Sequence, residues 1–133
     1  MAHFILEYST NISDTQLKLA VLFEQLHNAA VETGIFPLAG IRSRAIACQD
    51  FRVADGNPEF AFVHLQVKIG AGRSNDEQTR AAKTFFDILS AHLSELSESR
   101  GLAISFELTE LPVEHKFNQN NLRAYLATSQ GGH

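Results

Sequence analysis

The chain has 133 residues, of which 44% are hydrophobic and 20% charged, enough apolar material for one globular domain with a real core and too much for a disordered chain. Eleven Lys and Arg against fifteen Asp and Glu give a formal charge of −4, so no global field draws it to nucleic acid or anionic lipid, and any cationic site must be local. No stretch approaches the ~20 apolar residues of a membrane span, and residues 1–15 lack a secretion signal, so the expected compartment is the cytoplasm. A single cysteine, Cys48, excludes an internal disulfide and is expected to pack as a small hydrophobe. The six histidines show no His-x-x-x-His spacing, so zinc is not expected.

In chain order, His3 to Tyr8 reads as a strand with Phe4, Leu6 and Tyr8 on one face. Leu19, Leu22, Phe23, Leu26 and Ala30 then recur at offsets of three and four, the stripe of an amphipathic helix. Ser13 with Gln16 makes a capping box at its start and Gly34 is placed to stop it. Ile41 to Val53 reads as an extended stretch carrying Ile46, Phe51 and Val53, running into an Asp55-Gly56 turn expected to form a hairpin.

The pattern then repeats. Ala61, Val63, Leu65, Val67 and Ile69 alternate along a strand, and Ser74 with Glu77 caps a helix carrying Ala82, Phe85, Phe86, Leu89, Leu93 and Leu96. Gly101 is expected to end that helix, which runs about one to three turns longer than the first. Leu102, Ile104, Phe106 and Leu108 alternate with Ala103, Ser105, Glu107 and Thr109 in a half-polar strand.

Strand, helix, strand, twice over, predicts an α+β fold: two βαβ units, about 1–56 and 57–112, in one domain over 1–128, with a C-terminal segment after them and a disordered tail over 129–133 that includes His133. Crossovers make the strands within a unit parallel, and the turn makes the units antiparallel, so a four-stranded mixed sheet with both helices on one face is expected. The other face carries His3, Glu7, His64, Gln66, Lys68, Ser105 and Glu107; it is either solvated or packed against other subunits through paired polar groups.

This topology brings three groups to one edge of the sheet: the amino terminus, Arg42 at the head of the second strand, and the Gly70-Ala71-Gly72-Arg73-Ser74 turn leaving the third. A helix start preceded by glycines, with Arg73 beside it, would hold a small anion. The glycine string matches neither nucleotide-binding signature, since no Gly-Lys-Ser or Gly-Lys-Thr follows and Asn75 stands where a third glycine is required. Taken singly, Arg42, Arg44 and Arg73 read as surface or ion-pairing residues, His64 as a hydrogen-bonded sheet residue, and Arg80, Arg100 and Arg123 as solvated charges at helix surfaces or ends. Nothing resembles a nucleophile elbow.

Several strings nevertheless occur together: Gly34-Ile35-Phe36-Pro37-Leu38-Ala39-Gly40-Ile41-Arg42-Ser43-Arg44, Phe62-Val63-His64-Leu65, Lys68-Ile69-Gly70-Ala71-Gly72-Arg73-Ser74, Ser105-Phe106-Glu107 and Phe117-Asn118-Gln119-Asn120-Asn121. With them the chain closely resembles the 5-carboxymethyl-2-hydroxymuconate isomerase family of the tautomerase superfamily. The resemblance implies a homotrimer and a step in homoprotocatechuate catabolism, in which a dienol tricarboxylate becomes its conjugated ketone by a 1,3 proton shift with no metal or organic cofactor. It also implies an amino-terminal base at the position of Ala2, with residues matching Arg42 and Arg73 binding substrate carboxylates. The family's base is a proline exposed by loss of the initiator methionine, and Ala2 departs from it. Ala2 keeps an amine but lacks the ring that fixes its lone pair, which leaves an alternative reading: an impaired homologue that only binds a small carboxylate.

Overall fold

The computed structural model describes residues 1–129. Four strands, β1 (Ala2–Ser9), β2 (Ile41–Cys48), β3 (Ala61–Ile69) and β4 (Leu102–Glu110), form one sheet in the order β2-β1-β3-β4. β1 pairs parallel with β2, β3 parallel with β4, and β1 antiparallel with β3, the expected mixed sheet of two βαβ units. No helix among the described residues is long and apolar enough to cross a membrane. The expected tail lies, beyond Ser129, outside the described residues.

The alternation read from sequence decides which face is buried. Phe4 and Leu6 of β1, with Ala61, Val63, Leu65, Val67 and Ile69 of β3, are fully buried beneath the helices. The first helical region is split. The Ser13–Gln16 capping box forms, but it caps a one-turn α1 (Asp14–Leu17), and Lys18 at φ 47 turns the chain before α2 (Leu19–Glu32). Leu17, Leu22, Leu26 and Ala30 face the sheet. The second helix begins with the Ser74–Glu77 box as α3 (Asn75–His92), pivots at Leu93 and continues as α4 (Ser94–Ser99) before Gly101. Its buried stripe is Ala81, Phe85 and Leu89, one position away from the expected Ala82, and Phe86 stays 38% exposed against Phe106. A last helix, α5 (Leu122–Ser129), follows the loop 111–121.

Three expectations are corrected. The Asp55-Gly56 segment turns the chain but forms no hairpin, because β2 and β3 are not neighbours; the connection passes β1, which pairs with both. β2 ends at Cys48, not Val53, since an edge strand is extended only as far as β1 offers partners, and Ser9 is the last. Cys48 itself is only partly buried there. Arg100 is not a solvated helix end: its guanidinium donates to Glu59 O at 3.0 and 2.7 Å and to Asn11 O at 2.8 Å, tying the two connections at the sheet's far edge.

Phe85 anchors the core, edge-on to Phe4 at 5.0 Å and near Phe36 at 6.2 Å between ring centres. Phe85→Ala is expected to cost about 3–5 kcal/mol in chemical denaturation, and Phe86→Ala about 1 kcal/mol. Equal costs would contradict the assigned helix face.

Candidate active site at the amino-terminal edge

Strand register gathers the site. Ala2 pairs with Ile41 at the head of β2 and with Ile69 at the end of β3, and Ile69 pairs with Glu110 at the end of β4. The amino terminus, Arg42, the 70–74 turn and the loop 111–121 therefore meet at one edge, as the topology predicts for the first three.

Arg73 is held rigidly. Its Nε and Nη2 donate to Ile35 O at 3.1 and 2.7 Å, its Nη1 donates to Gly70 O at 2.9 Å, and its guanidinium lies 4.7 Å from the centre of the Phe36 ring. Three of the five N–H groups a guanidinium carries are thus committed to backbone, and two remain for a ligand. This gives a physical reason for the string 34–40. Ile35 offers the carbonyl and Phe36 the aromatic face, and Pro37 leads into a 3₁₀ turn (Leu38–Gly40) whose last residue touches the amino terminus. A Cβ at Gly40 would sit 3.3 Å from Met1 Cα, a close approach that glycine permits.

Arg42 is exposed and registers with His3, and its side chain makes no hydrogen bond among the described residues. Arg44 donates from Nη1 to His3 Nδ1 at 3.3 Å, and His3 Nε2 lies 3.0 Å from Met1 Sδ. Burial, then Arg42, Arg44, Lys68 and the amino terminus, hold the His3 imidazole below its ordinary value, so it stays neutral among cations. His64 is the paired sheet residue expected, with Nδ1 2.6 Å from Ser105 Oγ and Nε2 3.2 Å from Glu107 Oε1 on the open face of the sheet, away from this edge.

The α3 N-terminus offers fewer free donors than anticipated from the glycines, because its capping box takes two of them. Ser74 Oγ accepts the Glu77 N–H at 3.1 Å, Glu77 Oε1 accepts the Ser74 N–H at 2.9 Å, and Asp76 and Glu77 place acid in the first turn. The Ser74 backbone bond is the main reason the Glu77 carboxyl titrates below its ordinary value. Cationic side chains, not helix donors, set the anion preference of the edge.

The amine at this edge is that of Met1. Its pKa is lowered by burial first, then by the charges of Arg73, Lys116 and Arg42. Ala2 is fully buried as the first residue of β1, and its nitrogen is an amide while Met1 precedes it. Gly70 N–H donates to Met1 O at 3.2 Å.

Lys116 is the member of this group that sequence reasoning missed. It lies in a loop without helix or strand periodicity, so no pattern singles it out. The one available signal was the neighbouring Phe117–Asn121 string: Asn120 Nδ2 donates to Ala39 O at 2.8 Å and its Oδ1 accepts the Leu122 N–H at 2.8 Å, pinning the loop to the 3₁₀ turn. Asn120→Ala should therefore speed amide exchange in 111–121 and 38–40, at a global cost of about 1–2 kcal/mol. Exchange unchanged in both segments would contradict that anchoring.

Comparison with known proteins gives a consistent picture. Residues 2–126 match the family model for 5-carboxymethyl-2-hydroxymuconate isomerase. The chain is 44% identical over 124 residues to the 5-carboxymethyl-2-hydroxymuconate Delta-isomerase of Escherichia coli, covering 93% of this chain and 98% of that one. A crystal structure of a 5-carboxymethyl-2-hydroxymuconate isomerase from Deinococcus radiodurans R1 superimposes with TM-score 0.88 at 32% identity, covering 94% of this chain and 93% of the other. A fused 4-OT symmetric trimer shares the fold at TM-score 0.63 and 20% identity, over 88% and 93% of the two chains.

Proposed function

The chain belongs to the 5-carboxymethyl-2-hydroxymuconate isomerase family, and from that membership we propose that it isomerises 5-carboxymethyl-2-hydroxymuconate, a dienol tricarboxylate, to its conjugated ketone. The observation that carries the reading is an amine of lowered pKa surrounded by cations at one edge of the sheet.

The proposed base is the Ala2 amine, freed by loss of Met1. The Met1 amine is lowered from the ordinary value near 8 by burial and then by Arg73, Lys116 and Arg42; an Ala2 amine freed beside the same charges would shift in the same direction, leaving more of it neutral and able to take a proton. Loss of Met1 also vacates the volume beside Gly40 and releases the Gly70 N–H, a donor aimed into the space left. The base removes the enol proton. Arg42 and the two remaining donors of Arg73 bind substrate carboxylates and stabilise the dienolate charge, and the protonated amine returns a proton to a carbon of the conjugated chain. Nothing is added or lost, as an isomerisation requires. If Met1 is retained, the free amine lies one residue out of register and Ala2 cannot act.

Ala2, where the family resemblance implies a proline, motivates a second reading, a homologue that binds a small carboxylate without turning it over, and one assay separates the two. Purified protein whose amino-terminal residue has been fixed by intact mass is expected to ketonise 5-carboxymethyl-2-hydroxymuconate spectrophotometrically, with Ala2→Pro raising kcat. Arg42→Ala and Arg73→Ala are each expected to lower kcat/KM by about 10²-fold or more. Because the base must be unprotonated, kcat/KM should rise with pH through a midpoint below the ordinary α-amino value. No turnover by either the parent or Ala2→Pro would refute the isomerase reading, and carboxylate binding without turnover would establish the second.

The proposed assembly is a homotrimer. The open sheet face supports it, mixing polar groups with Ile46, 47% exposed in the single chain, beside Phe51, 36% exposed in the connection after β2 and packed edge-on against Phe62. Light scattering at micromolar concentration should give three times the chain mass; a monomer would overturn it.

A further inference from the structure

Lys116 has no counterpart among the residues that family resemblance assigns to the site, yet the fold presents it there. Its loop is fastened at both ends, by Leu111 N–H to Ile69 O at 2.7 Å and by Asn120 to Ala39 O at 2.8 Å. Its side chain is partly buried and forms no ion pair among the described residues. The ammonium lies over Gly70, where a Cβ would stand 2.9 Å from Nζ. Gly70 is a shared contact: its N–H meets Met1 O, its carbonyl accepts from Arg73, and its bare Cα admits the Lys116 tip.

The Lys116 ammonium stands beside Arg73 and the terminal amine with no carboxylate paired to it among the described residues, so like charges face one another there. The arrangement makes sense if an anion neutralises it. The proposed substrate carries three carboxylates, two on the muconate chain and one on the carboxymethyl branch, whereas Arg42 and Arg73 account for two. We propose that Lys116 is a specificity-determining residue whose ammonium binds the third, carboxymethyl carboxylate and so distinguishes a tricarboxylate from a dicarboxylate. This inference rests on the isomerase reading for the identity of the ligand and extends it to a residue outside the arginine pair.

The test compares 5-carboxymethyl-2-hydroxymuconate with 2-hydroxymuconate, which lacks the branch, using the parent, Lys116→Gln, Lys116→Arg and Gly70→Ala. Steady-state kinetics are run alongside calorimetry on the two corresponding ketones, so that affinity is read whether or not turnover occurs. Measured at a pH above the amine's midpoint in both proteins, so that the lost charge does not alter the fraction of neutral base, Lys116→Gln should raise KM and Kd for the tricarboxylates about 10- to 100-fold, the range of a hydrogen bond to a charged group, and change kcat by no more than about threefold. Values for the dicarboxylates should stay within about twofold, the precision with which a lost contact is distinguished from none. Lys116→Arg should restore most of the affinity, and Gly70→Ala, whose methyl displaces the flexible Lys116 tip, should reproduce the loss. Equal losses for both ligand classes, or unchanged tricarboxylate affinity in Lys116→Gln, would overturn the proposal. Absence of turnover by both the parent and Ala2→Pro would refute the isomerase reading alone, because the calorimetric comparison still reports on Lys116.

Discussion

The clasp of Arg73 on the backbone is the constraint on which the edge depends. One guanidinium takes the carbonyl of Ile35, from the connection of the first βαβ unit, and the carbonyl of Gly70, at the exit from the third strand. The two units also meet through the β1–β3 ladder, the packing of α2 on α3 and, at the far edge, the bond from Arg100 to Asn11 O. At this edge the clasp fixes their connections relative to each other, and the Phe36 ring beneath it links the charge to Phe85 and the core. A lysine could keep the charge but not the fork that reaches both carbonyls. Charge-assisted bonds of this kind are among the stronger ones available, and here they hold two loops without using every donor.

Around the clasp the sequence concentrates positive charge that its overall composition does not suggest. A chain of net charge −4 brings Arg42, Arg73, Lys116 and a terminal amine to one edge. Mutual repulsion among these groups opposes folding modestly, and with burial it also lowers the pKa of the amine and favours anions at the edge. In the proposed reaction one electrostatic feature would therefore serve both proton transfer and substrate binding.

Much of this was legible in the residues. Alternation from Ala61 to Ile69 marked a strand buried on one face, the two capping boxes marked helix starts, and the strand directions implied by two crossovers placed Arg42 near the amino terminus. What could not be read involved partners distant in sequence. The Asp55-Gly56 turn has the local chemistry of a hairpin, but β1 takes both neighbouring positions in the sheet, and local chemistry carries no record of that competition. The break at Lys18 needs a left-handed lysine, which side-chain periodicity does not register. Arg100 and Lys116 lie on helix-end or loop positions whose surroundings come from segments 41 or more residues away, so their roles follow from tertiary packing alone.

The account turns on an amino-terminal amine held below its ordinary pKa by burial and three cations. An NMR titration of protein isotopically labelled at its amino-terminal residue measures this directly. The account predicts a midpoint below the ordinary α-amino value near 8, moving upward when Arg42 or Lys116 is replaced by glutamine. A midpoint at or above 8 that neither substitution moves would contradict it.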